Sequence, residues 1–432
     1  MAISGTLETR RMQPSSPSSR SPVGIIFLTV FISMVGFGIV IPVLPVYATS
    51  ERFHLDPSQL GWLVGIFSLV QLFFAPLFGK LSDRIGRKPV LLFSVIGSAA
   101  GFFVIGFAEA AWMLFLGRII DGASGGNIAT AQACIADVTP PENRSKAMGI
   151  IGAAFGLGFI MGPALGGVLA TLSPQAPFHA AGFLSLLNAL LIWGRLPETY
   201  PAEKRSDAKA KATLGEVFGE NRTVFILLLL VASLLSTTGF AFIHVLFALF
   251  CGDHFGWTIR EISYAFAFVG ILAVFVQGGL LRRLLRKPIE KQVAAVGALC
   301  LAISLFWLPR VSGRDAFLGS CALMALGNGL LTPTLSGMAS RYVHGRAQGR
   351  LMGLMTSAGS LGRFLGPALA VIPLPAAFST LARPLQGDLL TTVQQGYLTA
   401  FSAGSALVAA SLLCVLLLRA PSQQPAASVA QA

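Results

Sequence analysis

The sequence predicts an all-α membrane protein, with twelve transmembrane helices arranged as two six-helix bundles. Three observations predict it: an apolar composition, charge-free runs of membrane-spanning length, and a one-sided distribution of lysine and arginine. Of 432 residues, 54% are hydrophobic and 11% are charged, and the mean hydropathy is +0.74. A water-soluble domain carries about 25% charged residues. This chain therefore cannot cover an aqueous surface, and most of it must face lipid. Its 47 glycines suit helices that pack closely within a membrane, where small residues let backbones approach.

A helix needs about 20 mostly apolar residues to cross the hydrocarbon with its backbone groups satisfied internally. Residues 1–22, rich in Ser and Pro, read as a disordered cytoplasmic tail. The apolar run at 23–47 is too long for a signal-peptide core and lacks a small-residue cleavage site, so it is expected to remain as the first span. Charge-poor stretches near 59–79, 89–108, 110–135, 146–170 and 177–195 supply five more. No Asp, Glu, Lys or Arg occurs from 147 to 194, a length that requires two spans turned at "TLSPQAP". These six make an N-terminal bundle, 23–195, followed by a cytoplasmic linker at 196–222. Runs near 223–250, 260–281, 291–309, 314–338, 349–373 and 394–418 make a second bundle, 223–418, with a cytoplasmic tail at 419–432.

Lysine and arginine orient the spans. Loops on the side of the termini hold 24 of the 31, whereas the other side holds Arg52, Arg260, Arg310, Arg314 and Arg383. That asymmetry is the positive-inside pattern of a multi-pass inner-membrane protein with both termini in the cytoplasm. The net charge of +13 is thus a topology signal, and nucleic acid is not an expected partner. The five cysteines stand singly, so neither a metal site nor a disulfide framework is expected.

The halves echo each other. "GPAL" occurs at 162–165 and again at 366–369, an offset of 204. The link "GKLSDRIGRKPVLL" (79–92) has a weaker copy, "GGLLRRLLRKPIEK" (278–291). Repeats in two six-helix halves predict a transporter with a substrate cavity between them. The linker is too short for an ATPase domain, and no HExxH or GxSxG occurs, so the chain is not expected to be an enzyme.

Ionisable groups within a span are costly and usually functional. Arg118 and Asp121 lie three apart, so they can share a face and pair. Two readings stay open: mutual neutralisation that fixes the helix, or a proton taken up and released during transport. His244, near a membrane midplane, is a further proton-coupling candidate or a structural histidine. Ser33, Gln71, Asn127 and Asn328 are candidates to line a cavity or to bond between helices. Arg363 faces an anionic substrate, meets an acidic group, or snorkels to the interface. Phe240, Phe242, Phe247 and Trp257 are candidate substrate contacts. Gly158, Gly162, Gly166 and Gly167 around Pro163 form a small-residue face that permits close helix approach and a bend. Asp83 sits in a basic turn, and Gly79 and Gly86 flank it as expected packing positions.

These residues carry a resemblance. "GKLSDRIGRKPVLL" is similar to the signature loop of the major facilitator superfamily, matched at Gly79, Asp83, Arg84, Gly86, Arg87 and Lys88. "LFLGRIIDGASGG" resembles its fourth-helix motif and "GFIMGPALGG" its fifth-helix antiporter motif. "GFGIVIPVLPVYA", "IADVTPPENRSKAMG" and "GDHFGWTIREIS" resemble the tetracycline-efflux branch of the twelve-helix drug:proton antiporters. The resemblance runs from about residue 23 to 418. It implies the major facilitator fold and proton-coupled efflux of a drug-like compound. It further implies that Asp83 latches the cytoplasmic side to the start of the eleventh span near Gly349 and Arg350, with Asp137 in the same network. Arg118 is implied in proton coupling, and the Gly/Pro run in antiport. Ser33 stands where the tetracycline pumps carry an aspartate, and Arg282 and Arg283 make the second signature loop degenerate. The expected partners are a small-molecule substrate, protons and the bilayer, with no cofactor and no metal, and the chain is expected to act as a monomer. A proton-coupled importer of a sugar or organic acid is the alternative; a membrane sensor or scaffold would lack a polar cavity.

Overall fold

A computed structural model describes residues 22–139, 144–201, 217–218, 222–285, 289–342, 346–375 and 388–418. The two tails and most of the linker lie outside the described residues. The described residues form helices and connecting turns, with no strand among them. In order they are α1 (Pro22–Ala48), α2 (Pro57–Ile85), α3 (Arg87–Gly106), α4 (Ala111–Ala123), α5 (Asn127–Val138), α6 (Arg144–Ala170) and α7 (Ala176–Arg195). Then come α8 (Thr223–Ala241), α9 (Ile243–Phe255), α10 (Ile259–Phe275), α11 (Glu290–Trp307), α12 (Arg314–Tyr342), α13 (Arg346–Ala370) and α14 (Asp388–Leu417).

Nine helical stretches among the described residues are long and apolar enough to cross a membrane, with α8 and α9 running together as one. Large apolar side chains point outward around them, including Phe73, Phe93, Trp112, Trp193 and Phe275, which suits a surface solvated by lipid. The expected span at 110–135 is not continuous. Ser124, Gly125 and Gly126 form a turn that divides it into α4 and α5, each shorter than a membrane crossing. The Gly–Gly pair lowers the cost of leaving the helix, and neighbours take up the freed carbonyls: Gln71 Nε2 donates to Gly125 O at 3.0 Å, and Ser94 Oγ to Ser124 O. A second irregularity follows α10, where Val276–Leu281 form a wider π turn.

α1 packs on α6 and α7, α3 on α4 and α7, and α2 on α4. Further along, α8 packs on α13 and α14, α11 on α12 and α14, and α10 on α12. The two groups meet through α2–α13, α6–α10 and α1–α9. The α1–α6 and α8–α13 contacts are built alike. A Cβ at Gly162 would lie 2.6 Å from Gly38 Cα and 2.7 Å from Val35 O; one at Gly366 would lie 2.7 Å from Thr238 O. Gly158 faces Met34, and Gly166 faces Ile39 O, so Gly158, Gly162 and Gly166 line one stripe of α6 against α1. Gly167 faces the other way, toward Ser263 and Arg260 of α10. Pro163 lies inside α6, beside Gly38.

The helix starts repeat too. α2 begins with a capping box in which Asp56 accepts from Gln59 N at 2.9 Å and Gln59 Oε1 accepts from Asp56 N at 3.1 Å. α10 begins with the same device made by Thr258 and Glu261. Each satisfies two backbone N–H groups where its chain enters the bundle.

Candidate functional site

A cavity of about 340 Å³ opens between the helix groups. α1 contributes Ser33, Met34 and Phe37, and α2 contributes Phe67, Gln71 and Ala75 at i, i+4, i+8. α13 contributes Thr356, Ser360 and Arg363, again along one helical face, and Asp121, Asn127 and Gln132 come from α4 and α5. The α4–α5 break puts Gly125 and Asn127 on the cavity wall.

At the end away from Pro22, the cavity is shut by α2 against α13. A Cβ at Gly61 would lie 2.8 Å from Pro367 O, one at Gly65 would lie 2.9 Å from Phe364 O, and the Trp62 and Phe364 rings are 5.4 Å apart. Toward the other end, an added Cβ at Gly79 or Gly353 would meet no heavy atom of a neighbouring helix within 4 Å among the described residues, and Leu77 and Leu81 of α2 are exposed.

Arg118 and Asp121 do pair, with Nη1 to Oδ2 at 3.3 Å and both side chains buried. Arg118 also stands over the Phe67 ring, Cζ 4.5 Å from its centroid, a cation–π contact. Its Nε is buried with no hydrogen-bond partner among the described residues. Arg118, His244 and Arg363 together line a small pocket of about 30 Å³ beside the main cavity. Arg363 lines both, and its Nη2 donates to Ser360 Oγ at 2.8 Å.

Of the four neutral polar candidates, Ser33, Gln71 and Asn127 line the cavity. Asn328 stands apart on α12, where its Oδ1 accepts from Thr332 at 3.0 Å. Phe242 and Phe247 are fully buried in the apolar core, and the Phe247 ring is tilted against Phe266 and Phe317, so neither faces the cavity.

The basic turn is a knot centred on Arg87. Its Nη1 donates to Asp83 Oδ1 and Ser82 Oγ, both at 2.7 Å, and its Nε to Asp137 Oδ2 at 3.0 Å. The guanidinium lies 4.8 Å over the Tyr200 ring. Lys88 Nζ donates to Trp193 O at 2.8 Å, and Arg84 is exposed in the last turn of α2. Gly86 has φ +104°, a region that side chains disfavour, so it is required by the chain path. Gly79 has open space around it. Sequence reasoning missed one member: Glu198, whose carboxylate accepts from the backbone N–H groups of Arg87 and Lys88 at 2.9 and 3.2 Å. A carboxylate there compensates the positive end of α3.

An all-helical bundle with apolar outer faces, a closed far end and a cavity holding embedded charges defines a membrane transporter. The chain belongs to the Major Facilitator Superfamily, whose family model matches residues 26–367. It is 33% identical to the tetracycline resistance protein, class E, of Escherichia coli, over 78% of this chain and 84% of that one. It is 30% identical to multidrug resistance protein 2 of Bacillus subtilis (strain 168), over 81% and 87%. Among solved structures, a bacterial homologue of the human lysosomal transporter Spinster, inward-facing and occupied, superposes with a TM-score of 0.77 at 17% identity, covering 94% of this chain and 97% of that one. The human organic anion transporter MFSD10 (TETRAN) gives 0.67 at 23% identity, over 93% and 100%.

Proposed function

We propose that this chain is a proton-coupled antiporter that exports a drug-like or small amphipathic compound by alternating access. In this reading it crosses the cell inner membrane twelve times as two six-helix bundles, with both termini in the cytoplasm, and works as a monomer. The helix pairs that recur in the two groups, α1–α6 with α8–α13, support the two-bundle division. Resistance proteins related at about 30% identity over about four-fifths of the chain support export.

The observation that carries the coupling is the position of Asp121. It is the one carboxylate on the cavity wall among the described residues, and it is held by Arg118, which leans on Phe67 of α2. A proton on Asp121 removes the attraction that holds Arg118, so protonation reaches α2 and hence the α2–α13 seal. His244, on the small pocket shared with Arg118, is the second group able to take part. Proton and substrate then each favour one arrangement of the bundles, and coupling equals their difference in binding to the two.

With the basic end in the cytoplasm, the closed far end faces outward and this state is inward-facing. Gly79, Asp83, Arg84, Gly86, Arg87, Lys88 and Asp137 form the cytoplasmic latch in this reading, with Asp83 paired to Arg87. The stripe of Gly158, Gly162 and Gly166, with Pro163 and Gly167, keeps α6 close to α1 and α10 as the bundles rock. Uptake of an amphipathic dye into inverted membrane vesicles, where export from the cytoplasm appears as accumulation in the lumen, tests the reading. Export must stop when an ionophore collapses the proton gradient; export that continues unchanged rejects it.

A further inference from the structure

We infer that the transported compound carries an anionic group, and that Arg363 is the residue that holds it. The inference rests on the transport reading above and adds the charge of the substrate. Two guanidiniums and one carboxylate face the connected cavities: Arg118, Arg363 and Asp121. Asp121 is taken by Arg118. Among the described residues no carboxylate lies within 4 Å of Arg363, whose hydrogen bond goes to the neutral Ser360.

The sequence offers no other internal counter-ion. Apart from Asp121, the Asp and Glu residues fall at helix ends, in loops or in the tails. Arg363 is half-buried on the cavity wall with no acidic group offsetting its charge among the described residues, and a guanidinium presents a planar fork of donors matched to a carboxylate. An anionic molecule that enters the cavity would supply the missing charge.

The surroundings define the rest of that molecule. Arg363 shares its face of α13 with Thr356 and Ser360, while Met34, Phe37 and Phe67 line α1 and α2. A polar, cationic wall thus stands with an aromatic one around about 340 Å³, within the usual range of small-molecule sites. The chemistry is that of an aromatic body bearing a carboxylate. An anion on Arg363 and a proton on Asp121 do not repel each other. Exchange between them therefore arises from opposite conformational preference and not from competition for one group.

The test uses three probes with one aromatic skeleton: naphthaleneacetate, naphthaleneacetamide and naphthylethylammonium. Binding to the purified full-length protein in detergent is measured by calorimetry. The acid is expected to bind at least about tenfold more tightly than the amide, the loss of one charge-assisted contact. The cation is expected to bind weakest. Arg363→Gln should erase the acid–amide difference, Arg363→Lys should keep part of it, and neither should lower the melting temperature of the ligand-free protein. Equal binding of acid and amide, or preference for the cation, overturns the inference without any variant. So does an acid preference that survives Arg363→Gln, or a fall in ligand-free stability that marks Arg363 as structural. The efflux reading fails separately: acid-selective binding without gradient-driven export rejects export and leaves Arg363 as the anion site. Gradient-driven export of cations alone does the reverse.

Discussion

Glu198 closes the N-terminus of α3 from 111 positions away, its Oε1 accepting the backbone N–H of Arg87 at 2.9 Å. Its other oxygen accepts from Lys88 N, and Oε1 also accepts from Tyr200 N at 2.9 Å. One carboxylate thus ties the chain leaving α7 to the start of α3, while the side chain of Arg87 holds Asp83 and Asp137 from α2 and α5. Replacing Glu198 by Gln keeps acceptor shape on one side and removes the charge. The expected cost is about 1 kcal/mol, typical of a lost helix cap. A thermal melt of the purified variant should shift down by a few degrees; an unchanged melt would mean that the cap carries no stability.

Gly86 tests the same turn through its backbone. At φ +104° an added Cβ is strained, so Gly86→Ala should destabilise by roughly 1–2 kcal/mol. Gly194→Ala, where no heavy atom lies within 4 Å, is the matched control. Similar melts for the two variants would remove the claim that the turn needs glycine.

The stripe on α6 is more demanding. A side chain at position 162 would meet Gly38 Cα at 2.6 Å, with backbone on both sides and nothing flexible to yield. Gly162→Ala is expected to cost about 1–3 kcal/mol through overpacking, and Gly162→Val to prevent accumulation of folded protein. Fluorescence size-exclusion of detergent extracts reads both, and a monodisperse Val variant would contradict the packing argument.

Asp121→Asn separates coupling from architecture. The variant is expected to fold, bind substrate and equilibrate it across the membrane, while uphill export at any external pH is lost. Transport into vesicles with and without an imposed gradient gives the answer. Failure to fold, with rescue by removing Arg118 as well, would instead make the pair a structural neutralisation.

Gly61 packs directly in the α2–α13 seal. A Cβ there would press on Pro367 O at 2.8 Å and Ala368 Cα at 3.3 Å, contacts that exist only while the far end is shut. Gly61→Ala should shift the population toward the arrangement open at that end, by about tenfold for each 1.4 kcal/mol of clash. Spin-label distances between the far ends of α2 and α13 should lengthen; distances identical to the parent protein would show that the seal absorbs the methyl.

Much of this architecture is legible in the chain because the membrane imposes a length on every apolar run, and Arg118 and Asp121 announce themselves as charges where none is cheap. The limits have physical causes. "SGGN" at 124–127 held the break in α4–α5, but two glycines in a membrane helix signal close packing as often as an interruption. Asn328 reads as well as Asn127 for cavity lining, because hydropathy fixes depth and not the direction in which a fully apolar helix turns. Glu198 looks like a solvated loop residue, since its partner is a helix end and backbone donors leave no mark in sequence. Gly86 and Gly79 look equivalent, yet one is held by dihedral angle and the other stands free.

The crossings of α3 with α4 and of α11 with α12 share one detail. A Cβ at Gly101 would lie 2.7 Å from Gly117 O, and one at Gly297 would lie 3.0 Å from Gly327 O. At both places main chain rests on main chain, with Ile105 packed against Gly117 and Leu330 against Gly297 beside the contact. Such a joint has little soft part, so sliding by exchange of side-chain pockets is disfavoured there. Each pair is therefore expected to move as a single lever, with the compliance needed for turnover lying in the seams where side chains interleave.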